Sequence, residues 1–480
     1  MQIHKVSIKM AIKQTIEYNS NNTYFSGFLQ ALINESEING NVSQHNKEIV
    51  LLLDESDSDA LERFVENTGK YLPHSIFLGE IQSTQEDAVV KPSRLKSGAY
   101  NISLCPKCLQ KITDPASENY LDDTIECHHY SNKEVSNFQD LNNYSPHYSK
   151  DAHLLVVDSA TLHELFIVTE DETKALFSIE KPTIKVTIKD ETLKQLTGKK
   201  FINIKSPFSI RSVLTALNAK EAEVPYLFFE PEHDLKVSVT QKNITLVKDD
   251  MGIEGELKVF HTNDGLNRFL NISKEAGFIG SALGAYLSIE NGIKFCYYNR
   301  SECKYVLEFQ EFKLGEVVSQ MSRDEKKQKL LVNFEKKYPH IIDEFSQNPE
   351  YSLFEAVASV LEIHAKSFES VSDKSLEFHG NGGLKMDTNF TDTGFDYVSF
   401  LGSIMSFKLA DTDDHYLAYS IFEALGDMSI STLNQLKTKY KVTNFVMMGN
   451  MFENSVLHSR ILSKFQLAKP YFPKGFALDD

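Results

Sequence analysis

From Cys105 to Tyr130 the chain reads CPKCLQKITDPASENYLDDTIECHHY. Cys105 and Cys108 are two residues apart, and Cys127 follows after 18 residues, itself followed by His128 and His129. Two thiolates at this spacing can grip one Zn2+ from a tight knuckle, and a second knuckle after such a gap supplies the remaining ligands of a tetrahedral site. The position of a fourth cysteine is taken by Tyr130, a poor zinc ligand. His128 or His129 could close the site as Cys3His, one or two residues early. The alternative is a vestigial knuckle in which Cys105, Cys108 and Cys127 are small buried residues. Cys296 and Cys303 lie far away and are expected to be buried thiols.

Outward from this run, the first 90 residues have the pattern of a small α/β unit. Strand-like alternation at His4–Ile16 precedes helical spacing of Phe25, Phe28, Leu29 and Leu32. An apolar strand at Glu48–Leu53 precedes a second amphipathic helix over Ser58–Tyr71, with Leu61, Phe64, Val65 and Tyr71 inward. A strand at Ile76–Ile81 closes the series. Two helices between strands suit a sheet covered on one face.

The polar stretch Ser131–Asp151 marks a linker. Beyond it, strands are expected at His153–Val157 and Thr183–Ile188, and helices near Ser159–Ile167 and Ile210–Ala219. Strands dominate Leu235–Phe260, including the run ELKVF. Helices take over after Ser322, one of them spanning Leu353–Phe368, before a final strand at Val442–Met448, a turn at Gly449-Asn450 and a helix near Asn454–Phe465.

Composition narrows the function. The chain has 480 residues, enough for about three domains. Fifty Lys+Arg against 67 Asp+Glu give a net charge of −17, which argues against nucleic acid or an anionic membrane as main partner. No apolar run has the length a membrane span requires. The N-terminal MQIHKVSIKMAIKQ has no continuous apolar segment of signal-peptide type. Five cysteines make no disulfide framework, so a reducing, cytoplasmic location is expected.

The cysteine run resembles the first zinc-finger segment of the HypF carbamoyltransferases, which take part in nickel-iron hydrogenase maturation. Asp114-Pro115 and Tyr120 fall in step with that family's pattern, whereas its second zinc finger has no counterpart. Upstream, Phe25, Phe28, Leu32, Glu35, Ile38, Gly40 and Val42 are similar to the first helix and following strand of its acylphosphatase-like domain. Downstream, Ser149-Lys150 and residues 153–182 resemble the second half of a YrdC-like domain, and PFSIRSVL resembles a further stretch of it. Lys242-Asn243, SLFEAVASVLEI and FVMMGNMFENSVL are similar to parts of the carbamoyltransferase domain.

The resemblance implies a multidomain α/β and α+β chain of four parts. These are an acylphosphatase-like ferredoxin fold (1–95), a zinc-finger-like segment (96–135), a truncated YrdC-like domain (149–235) and an ASKHA-like carbamoyltransferase-type domain (236–480). It further implies nucleotide contacts at Lys150, Gly449 and Asn454. Lys150 also reads as a solvated surface lysine, and Asn454 as a helix cap.

The departures bear on mechanism. Acylphosphatase chemistry needs an Arg and a glycine-rich loop to cradle the acyl phosphate, and an Asn to orient water. Here Ser26 and Gln44 stand at the matching positions, preceded by YNSNNTY without glycine. Glu230, Glu232 and Asp234 replace a nucleotide-contact motif and would repel phosphate. The Gly-Gly phosphate loop becomes Gly449-Asn450, the family's metal-binding histidines have no equivalent, and Pro473-Lys474-Gly475 replaces Asp-Gly-Gly. HGNGG (His379–Gly383) could wrap an anion or form a plain turn. DTDDH (Asp411–His415) could bind a divalent cation but suits an acidic helix start better.

The expected function is that of a reduced, degenerate HypF relative of the HydE type. Such an accessory factor would bind hydrogenase maturation proteins or a hydrogenase subunit precursor, with Zn2+ at the knuckle and no firm case for ATP. Two alternatives stand beside it: an active carbamoyltransferase using carbamoyl phosphate and ATP, and a zinc-dependent protein-interaction module.

Overall fold

A computed structural model describes residues 9–88, 95, 102–127, 129–130, 142–241, 243–391, 394–465 and 469–479. The chain forms two compact units, residues 1–256 with 474–477, and residues 257–473 with 478–480.

The first unit opens with β1 (Lys9–Tyr18), α1 (Tyr24–Glu35), β2 (Gly40–His45), β3 (Glu48–Asp54), α2 (Ser58–Tyr71) and β4 (Leu78–Ala88). The strands form an antiparallel sheet in the order β2-β3-β1-β4, the split βαβ arrangement of a ferredoxin-like fold. Alternation in β3 buries Ile49, Leu51 and Leu53. Phe25, Phe28, Leu29 and Leu32 of α1 are buried on the core side, each large apolar side chain contributing about 1.5–3 kcal/mol. In α2 Ala60 and Phe64 are buried and Leu61 and Tyr71 pack half-buried against the core, while Val65 faces solvent. The helical stripe is narrower there than its apolar content predicts. His4–Ile8, expected to start the first strand, lie outside the described residues.

A short helix, α3 (Pro106–Thr113), starts at the first cysteine pair. Next come β5 (His153–Leu155), α4 (Ser159–Leu165), β6 (Phe166–Ile167), α5 (Glu170–Leu176), β7 (Ile184–Ile188), α6 (Glu191–Thr197), β8 (Phe201–Lys205), α7 (Ile210–Glu221) and β9 (Phe228–Phe229). Their five-stranded sheet has the order β6-β7-β8-β5-β9, with β5 and β8 parallel. Asp158, Thr169, Asp190 and Ser209 cap the four helices through their side chains. The expected linker is partly structured: Ser145 pairs with Phe228 at the sheet edge, while 131–141 lie outside the described residues. The hairpin β10 (Leu235–Thr240) and β11 (Asn243–Asp249) also belongs to this unit, since Val237 N donates to Thr183 O.

The second unit holds α8 (Asp264–Glu275), β12 (Ala282–Ser288), β13 (Gly292–Tyr298), β14 (Cys303–Glu308), α9 (Leu314–Arg323), α10 (Glu325–Lys337), α11 (Pro339–Gln347), α12 (Leu353–Val360), α13 (Phe368–Leu376), β15 (Phe390–Thr391), β16 (Gly394–Phe395), α14 (Tyr397–Leu409), α15 (Asp414–Tyr440), β17 (Phe445–Met448) and α16 (Ser455–Lys464). Its main sheet runs β14-β13-β12-β17, antiparallel but for the parallel β12–β17 pair. Every residue of β12 is buried, as expected for a central strand.

Two expectations change here. ELKVF forms no strand, because the side chains of Asn267 and Asn271 on α8 bond the backbone of Lys258, Phe260 and His261 in place of a ladder. The helix expected over Leu353–Phe368 is two, since the chain leaves α12 at Leu361 and Glu362 takes φ 52° before Ser367 caps α13. No helix among the described residues is long and apolar enough to cross a membrane.

Candidate functional site

Pro106 opens α3, with its fixed φ and missing N–H suited to the first helical position. That places Cys105 at the N-cap, where its Sγ accepts from Cys108 N at 3.4 Å. The return of the chain at Cys127 brings a third thiol and the His129 ring to the same point. The ligand atoms of Cys105, Cys108, Cys127 and His129 all lie within 4.8 Å of one another. His129 Nδ1 is 3.1 Å from Cys105 Sγ and 3.6 Å from Cys108 Sγ. Ligands of a tetrahedral zinc, at ~2.3 Å for sulfur and ~2.0 Å for nitrogen, stand about 3.5–3.8 Å apart, so this donor set fits a metal ion.

The charge in the cluster is shared unequally, since hydrogen bonds with Cys108 and then Cys127 push the Cys105 thiol up. Hydrogen bonds from Cys105 and then Cys108 hold the Cys127 thiol strongly toward thiolate. Hydrogen bonds to Cys108 and Cys127 raise His129 to about 10. Three buried thiols at this distance can all ionise only with a cation among them.

Of the two histidines open as fourth ligand, His129 is brought to the cluster, and His128 lies outside the described residues. Tyr130 is a buried framework residue, its ring 5.7 Å from that of Phe28 on α1. Cys296 is buried in β13 and Cys303 half-buried in β14.

At the position matching an acylphosphatase cradle, Ser26 is fully buried and its Oγ donates to Gln44 Oε1 at 2.7 Å. Gln44 Nε2 in turn donates to the carbonyl oxygens of Ser20 and Asn22, at 2.9 and 3.0 Å. The loop therefore presents acceptors toward Gln44. An acyl phosphate needs donors and a cation.

Two other loops are bonded by carboxylates of the same unit. Gly383 N of HGNGG donates to Glu423 Oε2 on α15, at 2.5 Å. Asn450 N donates to Asp479 Oδ2 at 3.4 Å, and Tyr286 Oη donates to Asp479 Oδ1 at 2.5 Å. Gly449 takes φ 104°, and a Cβ there would lie 2.1 Å from Leu287 O, so the close approach of β12 accounts for the glycine. Its N–H donates to Leu478 O. Asn454 caps α16 through Leu457 N and donates to Ser372 Oγ and Ser375 Oγ. Lys150 lies in an exposed turn of the first unit, its carbonyl accepting from Tyr148 Oη and Lys199 Nζ. It is not in the unit that holds Gly449 and Asn454.

Asp234 is buried against Lys205 at 3.2 Å and accepts from Thr183 Oγ1. In DTDDH, Asp413 caps α15 while Asp411 and Asp414 pair with Lys337 and Lys408, the arrangement of an acidic helix start. Sequence reasoning did not assign roles to Glu423, Asp479 or Glu35, whose Oε1 is 3.0 Å from His129 Nε2. Only Glu35 carried a sequence signal, as an acid in the last turn of a helix, where the dipole disfavours it.

No family model matches the chain. A sequence relative is Protein HydE of Wolinella succinogenes, 23% identical over 364 residues, 67% of this chain and 64% of that protein. The chain thus spans a little under two thirds of the relative's length. Among solved structures, HypF of T. kodakarensis superposes with a TM-score of 0.61 at 11% identity, covering 98% of this chain and 97% of that one. Full-length HypF in its phosphate- and nucleotide-bound form gives 0.56 at 10% identity, covering 99% and 97%. The chain is HypF-like in fold over nearly its whole length, with a sequence similar to that of HydE.

Proposed function

We propose that this protein is an accessory factor in nickel-iron hydrogenase maturation that works by binding a maturation protein or hydrogenase subunit precursor in the cytoplasm, and not by full carbamoyl transfer. The observation that carries this reading is the turned polarity of the 19–23 loop, whose carbonyls accept from Gln44 where a transferase would offer donors to acyl phosphate. The carboxylates of Glu423 and Asp479 on the other two loops support it. Zn2+ held by Cys105, Cys108, Cys127 and His129 serves as a structural clamp: four protein donors leave no open position for chemistry.

Its parts, in this reading, are an acylphosphatase-like domain, a zinc-finger-like segment, a YrdC-like domain and a carbamoyltransferase-like domain. Lys150, Gly449 and Asn454 carry structural roles in it. The test is a binding assay of the purified full chain against maturation proteins and hydrogenase subunit precursors, run beside phosphate release from carbamoyl phosphate and ATP. Capture of one such protein without turnover is the expected result. Turnover with ATP, or no binding at micromolar concentration, overturns it.

A further inference from the structure

The His129 ring is held on both sides. Its Nδ1 faces the sulfurs of Cys105 and Cys108, while Nε2 lies 3.0 Å from Glu35 Oε1. An imidazole can ligate through one nitrogen only if that nitrogen is bare, so the proton must sit on the other. A carboxylate at Nε2 puts it there and makes Nδ1 the ligand atom.

Glu35 stands where its own helix disfavours it. It is the last residue of α1, a helix without a basic residue in its last turn, so its charge meets the negative end of the dipole. What offsets that cost comes from outside α1: the ammonium of Lys107, on the helix that carries Cys108, and the N–H edge of His129. Phe28, two turns earlier on α1, meets His129 edge-on with ring centroids 6.0 Å apart. One helix of the ferredoxin-like layer thus supplies both the wall and the hydrogen-bond acceptor for the fourth ligand. A cysteine ligand has no second nitrogen to be held, so this acceptor belongs to a Cys3His centre.

We propose that Glu35 is a positioning residue for the metal centre, fixing His129 as an Nδ1 ligand and coupling metal affinity to the ferredoxin-like layer. The inference rests on the metal reading above. Loss of such an outer partner typically weakens metal affinity 10–100-fold.

The test uses the full chain, with zinc affinity measured by chelator competition for wild type, Glu35→Ala, Glu35→Gln and Cys105→Ser, and thermal melts checking that each variant folds. Expected is a 10–100-fold weaker affinity in Glu35→Ala, a smaller loss in Glu35→Gln, which keeps an acceptor oxygen, and loss of the site in Cys105→Ser. Nitrogen NMR of the zinc-loaded protein is expected to show the His129 proton on Nε2. Wild-type affinity in Glu35→Ala, or zinc on Nε2, overturns the inference while the metal reading stands. Wild type that takes up no zinc removes both.

Discussion

The cysteine cluster and the three loops at Asn19–Thr23, His379–Gly383 and Gly449-Asn450 answer the same electrostatic problem in opposite ways. At the cluster, three thiols that ionise to like charge converge with His129 within 4.8 Å, more negative charge than one imidazole can balance. At the loops, the chain supplies the partner itself: Gln44 to the carbonyls of Ser20 and Asn22, Glu423 to Gly383 N, Asp479 to Asn450 N. A site built for an outside ligand leaves a charge imbalance for that ligand to cancel. A site whose polar groups are already paired gains nothing from one.

The sharpest way to break this contrast is to remove a sulfur. Cys105→Ala should take metal content from about one equivalent to near none and lower the melting temperature, since metal-binding energy at such a site is folding energy. Elemental analysis and thermal melts check both. Unchanged metal content would erase the distinction between the cluster and the loops.

An internally paired carboxylate should behave oppositely, costing stability with no ligand involved. Glu180 is fully buried and accepts from Tyr24 Oη, Ser75 Oγ and Ile76 N. Burial raises its pKa, against the opposing effect of those bonds. Glu180→Ala strands three donors at once and should cost about 3–5 kcal/mol in urea unfolding, with Glu180→Gln losing less. Equal stability of Glu180→Ala and wild type would contradict this account.

A pH series gives a smaller effect in the second unit. His458 is buried with its ring 3.8 Å from that of Phe472, and burial pushes its pKa down to about 4. The unfolded chain binds this proton more readily, so His458 costs no stability above about pH 6.5 and a growing amount as pH falls toward 4, reaching about 3 kcal/mol. His458→Leu should flatten that part of the stability curve. An identical acid slope in the variant would assign the proton elsewhere.

The smallest expected effect is on activity at the loop that faces Gln44. Gln44→Asn installs the residue type with which an acylphosphatase orients water, yet the loop carbonyls remain and no cation is added. No acyl-phosphate hydrolysis above background is expected. Turnover in that variant would show that loop polarity is not what separates the two kinds of site.

Much of the first 90 residues was legible because local periodicity is a short-range signal. The β–α–β pattern, the Ser58–Tyr71 helix and the apolar face of α1 all follow from residues two to four apart. The knuckle spacing picked out three of the four residues that converge, and the fourth was narrowed to two neighbouring histidines. The failures were also local in origin. ELKVF has strand-like composition, but Asn267 and Asn271 capture its backbone. Leu353–Phe368 has a helical stripe, but a left-handed Glu362 divides it.

By itself the sequence determined most of the order of elements, the cysteine spacing and the absence of glycine from the YNSNNTY stretch before Ser26 and Gln44. Only the tertiary structure decided that His129 meets the thiols, that Glu35 faces its other nitrogen, and that Glu423 and Asp479 reach Gly383 and Asn450. The reason is physical. A side chain's neighbours along the chain are set by helix and strand geometry, whereas a carboxylate chooses its donor through space, after sheets and helices have packed.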